Sequence, residues 1–322
     1  MESIITLNKS PERDFVILNL TDTHLTGSDW TGGSNHFAIV DKTIKELLEH
    51  VRPDLITLTG DYSTEPYFID LVRFADYMES FGIPWAPVWG NHDNSGGTEF
   101  IDHAADVFMA KPHCIFEKGD PSMGCGNYVI RIHEDEKPVS ALFMMDSHRG
   151  SIYPSQIRWF ETHASALRKE GCGDSAVLMH IPLTEFETAF DSALIGGIAA
   201  ASSVDLPASY THDCWNAGFE NSFGIMREKV CPIEKNDEWF NALKQSEIVK
   251  YFIAGHEHIN NFAVTWQGIR LVYSLKTGFA AYGWMPFNGG SVIRLGTNGI
   301  TSVSHEYVDV SDILQKTEKI II

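Results

Sequence analysis

The chain has 322 residues, 43% of them hydrophobic. At roughly 100 to 200 residues per domain this allows one large domain or two small ones, and excludes disorder and a purely disulfide-stapled scaffold. Its 24 Lys and Arg against 43 Asp and Glu leave a net charge of −19, which repels phosphate backbones and anionic bilayers within a Debye length and disfavours nucleic acid as a routine partner. Five cysteines, Cys114, Cys125, Cys172, Cys214 and Cys231, show no C-x-x-C spacing and suit free thiols in a reducing compartment, although one pair could be bridged. The amino terminus has no basic n-region and too few apolar residues for an h-region, and no window reaches 18 apolar residues. The sequence therefore reads as a cytoplasmic protein without membrane contact.

Taken in chain order, residues 15–20 form a short, apolar, β-branched run that predicts a buried strand. Phe37, Val40, Ile44, Leu47, Leu48 and Val51 then recur at helical spacing, and Pro53 closes that helix. Residues 55–59 are a second strand. Thr64, Glu65 and Pro66 read as the cap, acidic first turn and early proline of a helix that Gly82 ends. Residues 85–89 are a third strand despite Pro87. Further strands are expected at 128–132, 141–145, 176–179, 251–254, 262–266, 271–275 and 292–295. The opening order of strand, helix, strand, helix, strand predicts a parallel sheet with crossovers, and the closer strand spacing toward the carboxyl end predicts antiparallel ribbons. Residues 181–235, rich in Ala, Ser, Gly and Asn, read as a long ordered insertion that forms a lid or a substrate-facing loop. Trp215, Phe219 and Phe223 argue against a disordered linker there, and residues 1–322 are expected to form a single domain.

Five of these strands run straight into metal-type ligands. Asp22 and His24 follow the first, Asp61 the second, and Asn91, His92 and Asp93 the third, while His180 and the pair His256 and His258 follow those at 176–179 and 251–254. Ligands in open α/β sheets bind outside the carboxyl ends of strands, so these distant residues can converge. Carboxylate, amide and imidazole donors without thiolate suit Mn, Fe or Zn. Seven such donors exceed the needs of one tetrahedral ion and match two ions sharing a bridging carboxylate, the clamp used for phosphoryl transfer.

The ordered set Asp22-x-His24, Gly60-Asp61, Gly90-Asn91-His92-Asp93, His180 and Gly255-His256-x-His258 resembles the signature of the calcineurin-like metallophosphoesterases, across residues 15–300. The stretches around Arg227-Glu228, residues 255–262 and Thr277-Gly278-Phe279 are similar to the branch containing Dcr-type phosphatases and purple acid phosphatase relatives. The resemblance implies an α/β fold, a four-layer αββα sandwich of mixed sheets with the site at strand carboxyl ends. It implies that Asp22, His24 and His258 hold one metal, that Asn91, His180 and His256 hold the other, and that Asp61 bridges them. The cofactors implied are two divalent or mixed-valence ions, Mn, Fe or Zn. Thr64 stands where a purple acid phosphatase has its tyrosinate, so the iron-tyrosinate colour is not expected, with Tyr62 and Tyr67 as nearby alternatives.

The reaction expected is hydrolysis of a phosphate monoester by a metal-bridging hydroxide. His92 would stabilise charge or protonate the leaving oxygen, and Asp93 would either orient His92 or support the site from behind. His148, Arg149 and Arg227 are candidates for gripping the substrate, which would be a phosphorylated small molecule or a phosphoprotein. Glu257 is expected to point away from the metals. Trp284 and Phe287 are pocket-wall candidates whose default is core packing, and the unmatched histidines, His305 among them, are read as ordinary surface or helix residues. A phosphodiesterase and a non-catalytic scaffold remain as alternatives. Two divalent ions would outweigh the Asp22 and Asp61 carboxylates, so the acidic chain can still accept one small phosphate.

Overall fold

The computed structural model describes residues 5–197, 215–283 and 288–314. Two sheets carry the fold. The strands are β1 (Ile5–Asn8), β2 (Phe15–Leu20), β3 (Leu55–Leu58), β4 (Trp85–Pro87), β5 (Tyr128–Glu134), β6 (Lys137–Met144), β7 (Ser175–Leu178), β8 (Val249–Ala254), β9 (Ala263–Trp266), β10 (Ile269–Tyr273), β11 (Gly289–Gly296) and β12 (Gly299–Tyr307). One sheet has the order β1-β5-β6-β7-β8-β10-β9 and the other β12-β11-β2-β3-β4. The helices are α1 (His36–Val51), α2 (Phe68–Glu79), α3 (Thr98–Met109), α4 (Pro154–Lys169), α5 (Glu185–Ala193) and α6 (Asp237–Gln245).

Side-chain alternation builds four layers. Along β6 and β7, Leu142, Met144, Ala176 and Leu178 face a core shared with the second sheet and with α1 to α3. Their neighbours Ala141, Phe143, Val177 and Met179 face the opposite way, into a core with α4, α5 and α6. The mixed αββα architecture is thus the one the resemblance implies. Strands β2, β3 and β4 pair in parallel, joined by the crossover helices α1 and α2. The carboxyl end brings the expected antiparallel pairs, β9 with β10 and β11 with β12.

Three differences from the sequence reading have local causes. Strands β1 and β12 were not anticipated. Both lie at sheet edges, where half-buried alternation with Thr, Ser and Asn replaces a continuous apolar run. Helix α2 starts at Phe68, not at Thr64, because Thr64 is engaged by the site described below. The 181–235 segment is not without regular structure, since α5 packs against β9. Its described part past Trp215 is pinned by Asn260 Oδ1, which accepts from the backbone N–H of Arg227 and Glu228 at 2.8 and 3.0 Å. Among the described residues no helix is long and apolar enough to cross a membrane.

Candidate metal centre

The parallel strands β2, β3 and β4 of one sheet and β7 and β8 of the other end on the same face, and the turns after them interlock. Asp22 N–H donates to the Gly60 carbonyl at 3.0 Å, His24 N–H to that of Asp61 at 3.0 Å, and Gly255 N–H to that of His180 at 3.0 Å. Close approach requires glycine at two points. A Cβ on Gly60 would lie 2.4 Å from Gly90 N, and one on Gly90 would lie 2.0 Å from Asp61 Oδ1. Asp22, His24, Asp61 and His256 all adopt left-handed backbones, with φ of 55°, 51°, 54° and 81°. That conformation is costly for residues with a Cβ and concentrates at functional sites.

The seven expected ligands converge. His24 Nε2 and His258 Nε2 face one another at 3.0 Å, with Asp22 Oδ1 3.6 and 3.5 Å from them. On the other side His180 Nε2 lies 3.0 Å from Asn91 Oδ1, 3.3 Å from His256 Nδ1 and 3.2 Å from Asp61 Oδ2. Asp61 Oδ2 is also 3.6 Å from His24 Nε2, so one carboxylate oxygen stands between the two groups. Buried Asp22 Oδ1 has no hydrogen-bond partner among the described residues. Lone-pair atoms crowded against each other, one of them an orphaned carboxylate oxygen, with no thiol among them, fit a pair of divalent cations.

The outer contacts fix the rings. His180 Nδ1–H donates to the Thr59 carbonyl at 2.6 Å and His92 Nδ1–H to that of Thr64 at 2.7 Å. Each ring therefore turns its Nε2 inward. Burial acts to raise Asp22 and Asp61, but the neighbouring imidazoles overrule it and hold both carboxyls below the usual range. Burial, followed by the Lys276 ammonium, lowers His24 and takes His258 down to about 3, while burial and the charge of His180 take His256 to about 4. These three rings stay neutral, the form a metal needs. His180 is opposed by burial and yet raised to about 10 by Asp61.

His92 joins His24 and Asp61 in a group whose donor atoms lie within 4.8 Å of one another. Asp93 does not touch the His92 ring. Its carboxylate accepts from the backbone N–H of Asp61, Tyr62 and Gly90 at 2.8, 3.1 and 2.9 Å. It therefore braces the two ligand turns, and the orienting partner of His92 is the Thr64 carbonyl. Burial and then Asp61 push the Asp93 carboxyl up to about 8. Tyr62 is no ligand either, because its hydroxyl donates to the Val88 carbonyl at 2.5 Å while its ring stacks on Phe74. Tyr67 is exposed.

The proposed substrate grips separate. Arg149 is exposed and lines a cleft of about 480 Å³ with Asn94, Asp146, His148 and Tyr153. Asn94, two residues past His92, donates to Asp146 Oδ1 at 3.1 Å. The ring nitrogens of His148 are already engaged, Nδ1 by Asp146 Oδ2 at 3.0 Å and Nε2 by Gln156 Oε1 at 3.1 Å. His148 thus supplies a wall, stacked on Tyr153, in place of a free donor. Arg227 is buried under the 255–262 turn and does not line that cleft. None of the seven ligands lines that cleft, which approaches the site through Asn94, and none lines a larger groove of about 630 Å³ beside α5 and α6.

Two residues were invisible to spacing arguments. Lys276, buried, places Nζ 3.3 Å from His258 Nδ1. Glu228 accepts from Ile259 N–H at 2.9 Å and from the Tyr282 hydroxyl at 2.7 Å, which sets Tyr282 over the His258 ring. Lys276 lies in no ligand-like motif, and Glu228, although within the Arg227-Glu228 stretch of the resemblance, shows its contact with the His258 surroundings only in the fold. Glu257 turns away from the metal positions as expected, accepting from Cys231 N–H at 2.6 Å and from the Tyr273 hydroxyl. His305 is half-buried, its ring held between Ser291 Oγ and the Asn261 carbonyl at 2.9 and 2.8 Å. Cys114, Cys125, Cys172 and Cys231 are free thiols, and Cys231 is exposed. Cys214, Trp284 and Phe287 lie outside the described residues.

The family model described as calcineurin-like phosphoesterase matches residues 15–260. Phosphatase DCR2 of Saccharomyces cerevisiae is 26% identical over 298 residues, 80% of this chain and 46% of its own length, so the chain spans about half of that relative. Probable inactive purple acid phosphatase 29 of Arabidopsis thaliana is 26% identical over 321 residues, 86% of this chain and 75% of that protein. Among solved structures, a dimetal phosphatase from Danio rerio shares the fold with a TM-score of 0.50 at 10% identity, over 92% of this chain and 100% of that one.

Proposed function

We propose that this chain, which belongs to the calcineurin-like phosphoesterase family, hydrolyses phosphate monoesters at a two-metal site. The observation that carries the reading is the Asp61 carboxylate, whose Oδ2 lies 3.6 Å from His24 and 3.2 Å from His180 and so faces both donor groups. Asp22, His24 and His258 would hold one ion, Asn91, His180 and His256 the other. Two bound divalent cations supply Lewis acidity, which lowers the pKa of water and neutralises phosphoryl oxygens. The oxygen and nitrogen donors favour Mn, Fe or Zn.

The chain's own residues do the rest. His92, held at Nδ1 by Thr64, presents Nε2 toward the donor cluster and can pass a proton to the departing oxygen. Asp93 fixes the turns that carry Asp61 and His92. Arg149, at the edge of the cleft beside Asn94, meets the group esterified to the phosphate, which a small metabolite or a phosphoprotein could supply. Free thiols favour a reducing compartment such as the cytoplasm, and the −19 charge disfavours nucleic acid. The name of one relative includes the word inactive, but all seven donor residues are present here.

The test is release of p-nitrophenol from p-nitrophenyl phosphate and from bis(p-nitrophenyl) phosphate by protein loaded with Mn²⁺ or Zn²⁺. Faster turnover of the monoester is expected. Preference for the diester would move the assignment to a phosphodiesterase, and hydrolysis of neither would refute it.

A further inference from the structure

The cleft beside Asn94 has a wall whose construction the hydrolysis does not explain. His148 and Tyr153 stack with ring centroids 4.1 Å apart at 17°. Tyr153 lines the cleft and is 41% exposed although one of its faces lies on His148, so its other face is open. Beneath the pair, buried polar groups fix both rings. Gln156 Oε1 accepts from the Tyr153 backbone N–H at 2.8 Å and meets His148 Nε2 at 3.1 Å, while Gln156 Nε2 donates to Asn127 Oδ1 and to the Asp146 carbonyl, each at 2.8 Å. Asp146 Oδ2 holds His148 Nδ1 at 3.0 Å, and Gly124 approaches the ring so closely that a Cβ there would lie 2.2 Å from His148 Cε1. Gln156, Asp146 and Asn127 are all buried. Rotamers locked by such hydrogen bonds pre-organise a binding surface, and the surface held here is a flat ring open to the cleft.

The same network sets that ring in register with the metal centre. Asn94 Nδ2 donates to Asp146 Oδ1 at 3.1 Å, to the His148 carbonyl at 3.3 Å and to the Gly90 carbonyl at 3.1 Å. Gly90 precedes the ligand Asn91, and His92 lies two residues before Asn94. A group departing past His92 therefore meets the cleft that Asn94 lines. Charge narrows its chemistry. The exposed charged residues lining the cleft are Arg149 and Glu234, one of each sign, and the buried Asp146 adds no positive charge. Such a cleft has no net positive field to attract a second phosphate. An open aromatic face does attract another ring, in offset stacking at about 4.5 to 7 Å between centroids.

We propose that this cleft is the leaving-group site and that it selects phosphate monoesters of phenols, the aryl ring lying on the open face of Tyr153. The inference rests on the monoesterase reading and names its substrate class. Hydrolysis breaks the bond from phosphorus to the phenolic oxygen, forms one from phosphorus to a water oxygen, and releases phenol and inorganic phosphate, the proton passing to the phenolic oxygen. A free aryl phosphate and a phosphotyrosine side chain both carry this chemistry. Tyr153 is then a specificity-determining residue.

The test uses the full chain loaded with Mn²⁺. Inhibition constants for benzylphosphonate and methylphosphonate compare ring with no ring where no ester bond is cleaved, and kcat/KM for 2-naphthyl phosphate and glycerol 2-phosphate compares them in turnover. Wild type is expected to bind benzylphosphonate about tenfold more tightly than methylphosphonate. Tyr153→Ala should lower both preferences about tenfold, and Tyr153→Phe should keep them. O-phosphotyrosine set against a phosphotyrosine peptide separates the two sources: either order supports the aryl site, and a phosphoserine peptide turned over faster than both would overturn it. Equal inhibition constants in wild type, a measurement that needs no variant to fold, would overturn the inference and leave the monoesterase reading intact. So would an undiminished preference in a folded Tyr153→Ala protein. Hydrolysis of no monoester overturns both.

Discussion

Replacing Asp93 with alanine separates a brace from a catalytic group. Its carboxylate accepts three backbone N–H groups, from Asp61, Tyr62 and Gly90 at 2.8, 3.1 and 2.9 Å, in a site where Asp93 is 1% exposed. A buried donor left without an acceptor costs about 1 to 3 kcal/mol, and partial hydration of the vacated space moves the total for three toward the lower end, about 3 to 6 kcal/mol. Against a folding free energy of about 5 to 15 kcal/mol this is a large fraction. The same loss unpins Asp61 N–H, and Asp61 Oδ1 in turn accepts from His92 N–H at 2.9 Å, so metal content should fall along with stability. The assay is the urea midpoint of chelated protein together with metal content after loading. Asp93→Asn, which keeps one acceptor oxygen but turns an amide N–H₂ toward the donors, should fall between. An Asp93→Ala protein with the wild-type midpoint and two bound ions but no turnover would refute the brace and restore a catalytic role.

Two further predictions follow from the same geometry. His92→Ala should lower turnover by about 10²- to 10⁴-fold with metal content retained, and the loss should be greater for an alkyl phosphate than for p-nitrophenyl phosphate, whose leaving group needs little help from an acid. Equal losses on both substrates would exclude proton donation by His92. Glu257 concerns pH: burial raises its carboxyl from an ordinary 4.5 to about 8, so the folded state holds the extra proton between those values. Its stabilising contribution is complete below about pH 4.5 and is lost as pH rises through 8, at a limiting slope of about 1.4 kcal/mol per unit. Chelated Glu257→Gln protein should therefore gain on wild type in urea midpoint from about pH 5 to 9, and a constant difference would contradict this.

The sequence made legible what burial makes continuous. Strands β2, β3, β7 and β8 are buried along their whole length or most of it, so each appears as an unbroken apolar run. Each also ends in polar residues that have no reason to follow such a run unless the strand end is a site, which is why Asp22, Asp61, His180 and His256 could be read without coordinates. The edge strands lacked that contrast. The amino end of α2 was misread for a different reason: Thr64 has the chemistry of a cap, but its hydroxyl donates to the His24 carbonyl at 3.0 Å and its own carbonyl holds His92. Function took the residue that local propensity would have given to the helix. The places of Lys276, Glu228 and Tyr282 beside His258 were illegible because they are entirely non-local, a cation, a carboxylate and a ring brought there by the chain after β10 and by the 215–235 stretch.

What no spacing argument shows is that the ligand backbones hold one another. Asp22, His24, Asp61 and His256 are left-handed, a conformation that costs L-residues roughly 1 to 2 kcal/mol each and persists only where the surroundings over-determine it. Here the determining bonds come from the site itself. Asp22 N–H rests on the Gly60 carbonyl and His24 N–H on that of Asp61. Asp61 N–H rests on Asp93, and His256 N–H on Asp22 Oδ2 at 3.1 Å. The strained turns are therefore tied one to the next, from His256 through the Asp22 and Asp61 turns to Asp93, across both sheets and beside the donor cluster. Removing one carboxylate releases strain in its neighbours as well as a ligand, so substitutions of Asp22, Asp61 and Asp93 should be strongly non-additive. The two sheets are joined at their carboxyl edges by the same bonds that aim the ligands, and the site cannot form in either sheet alone.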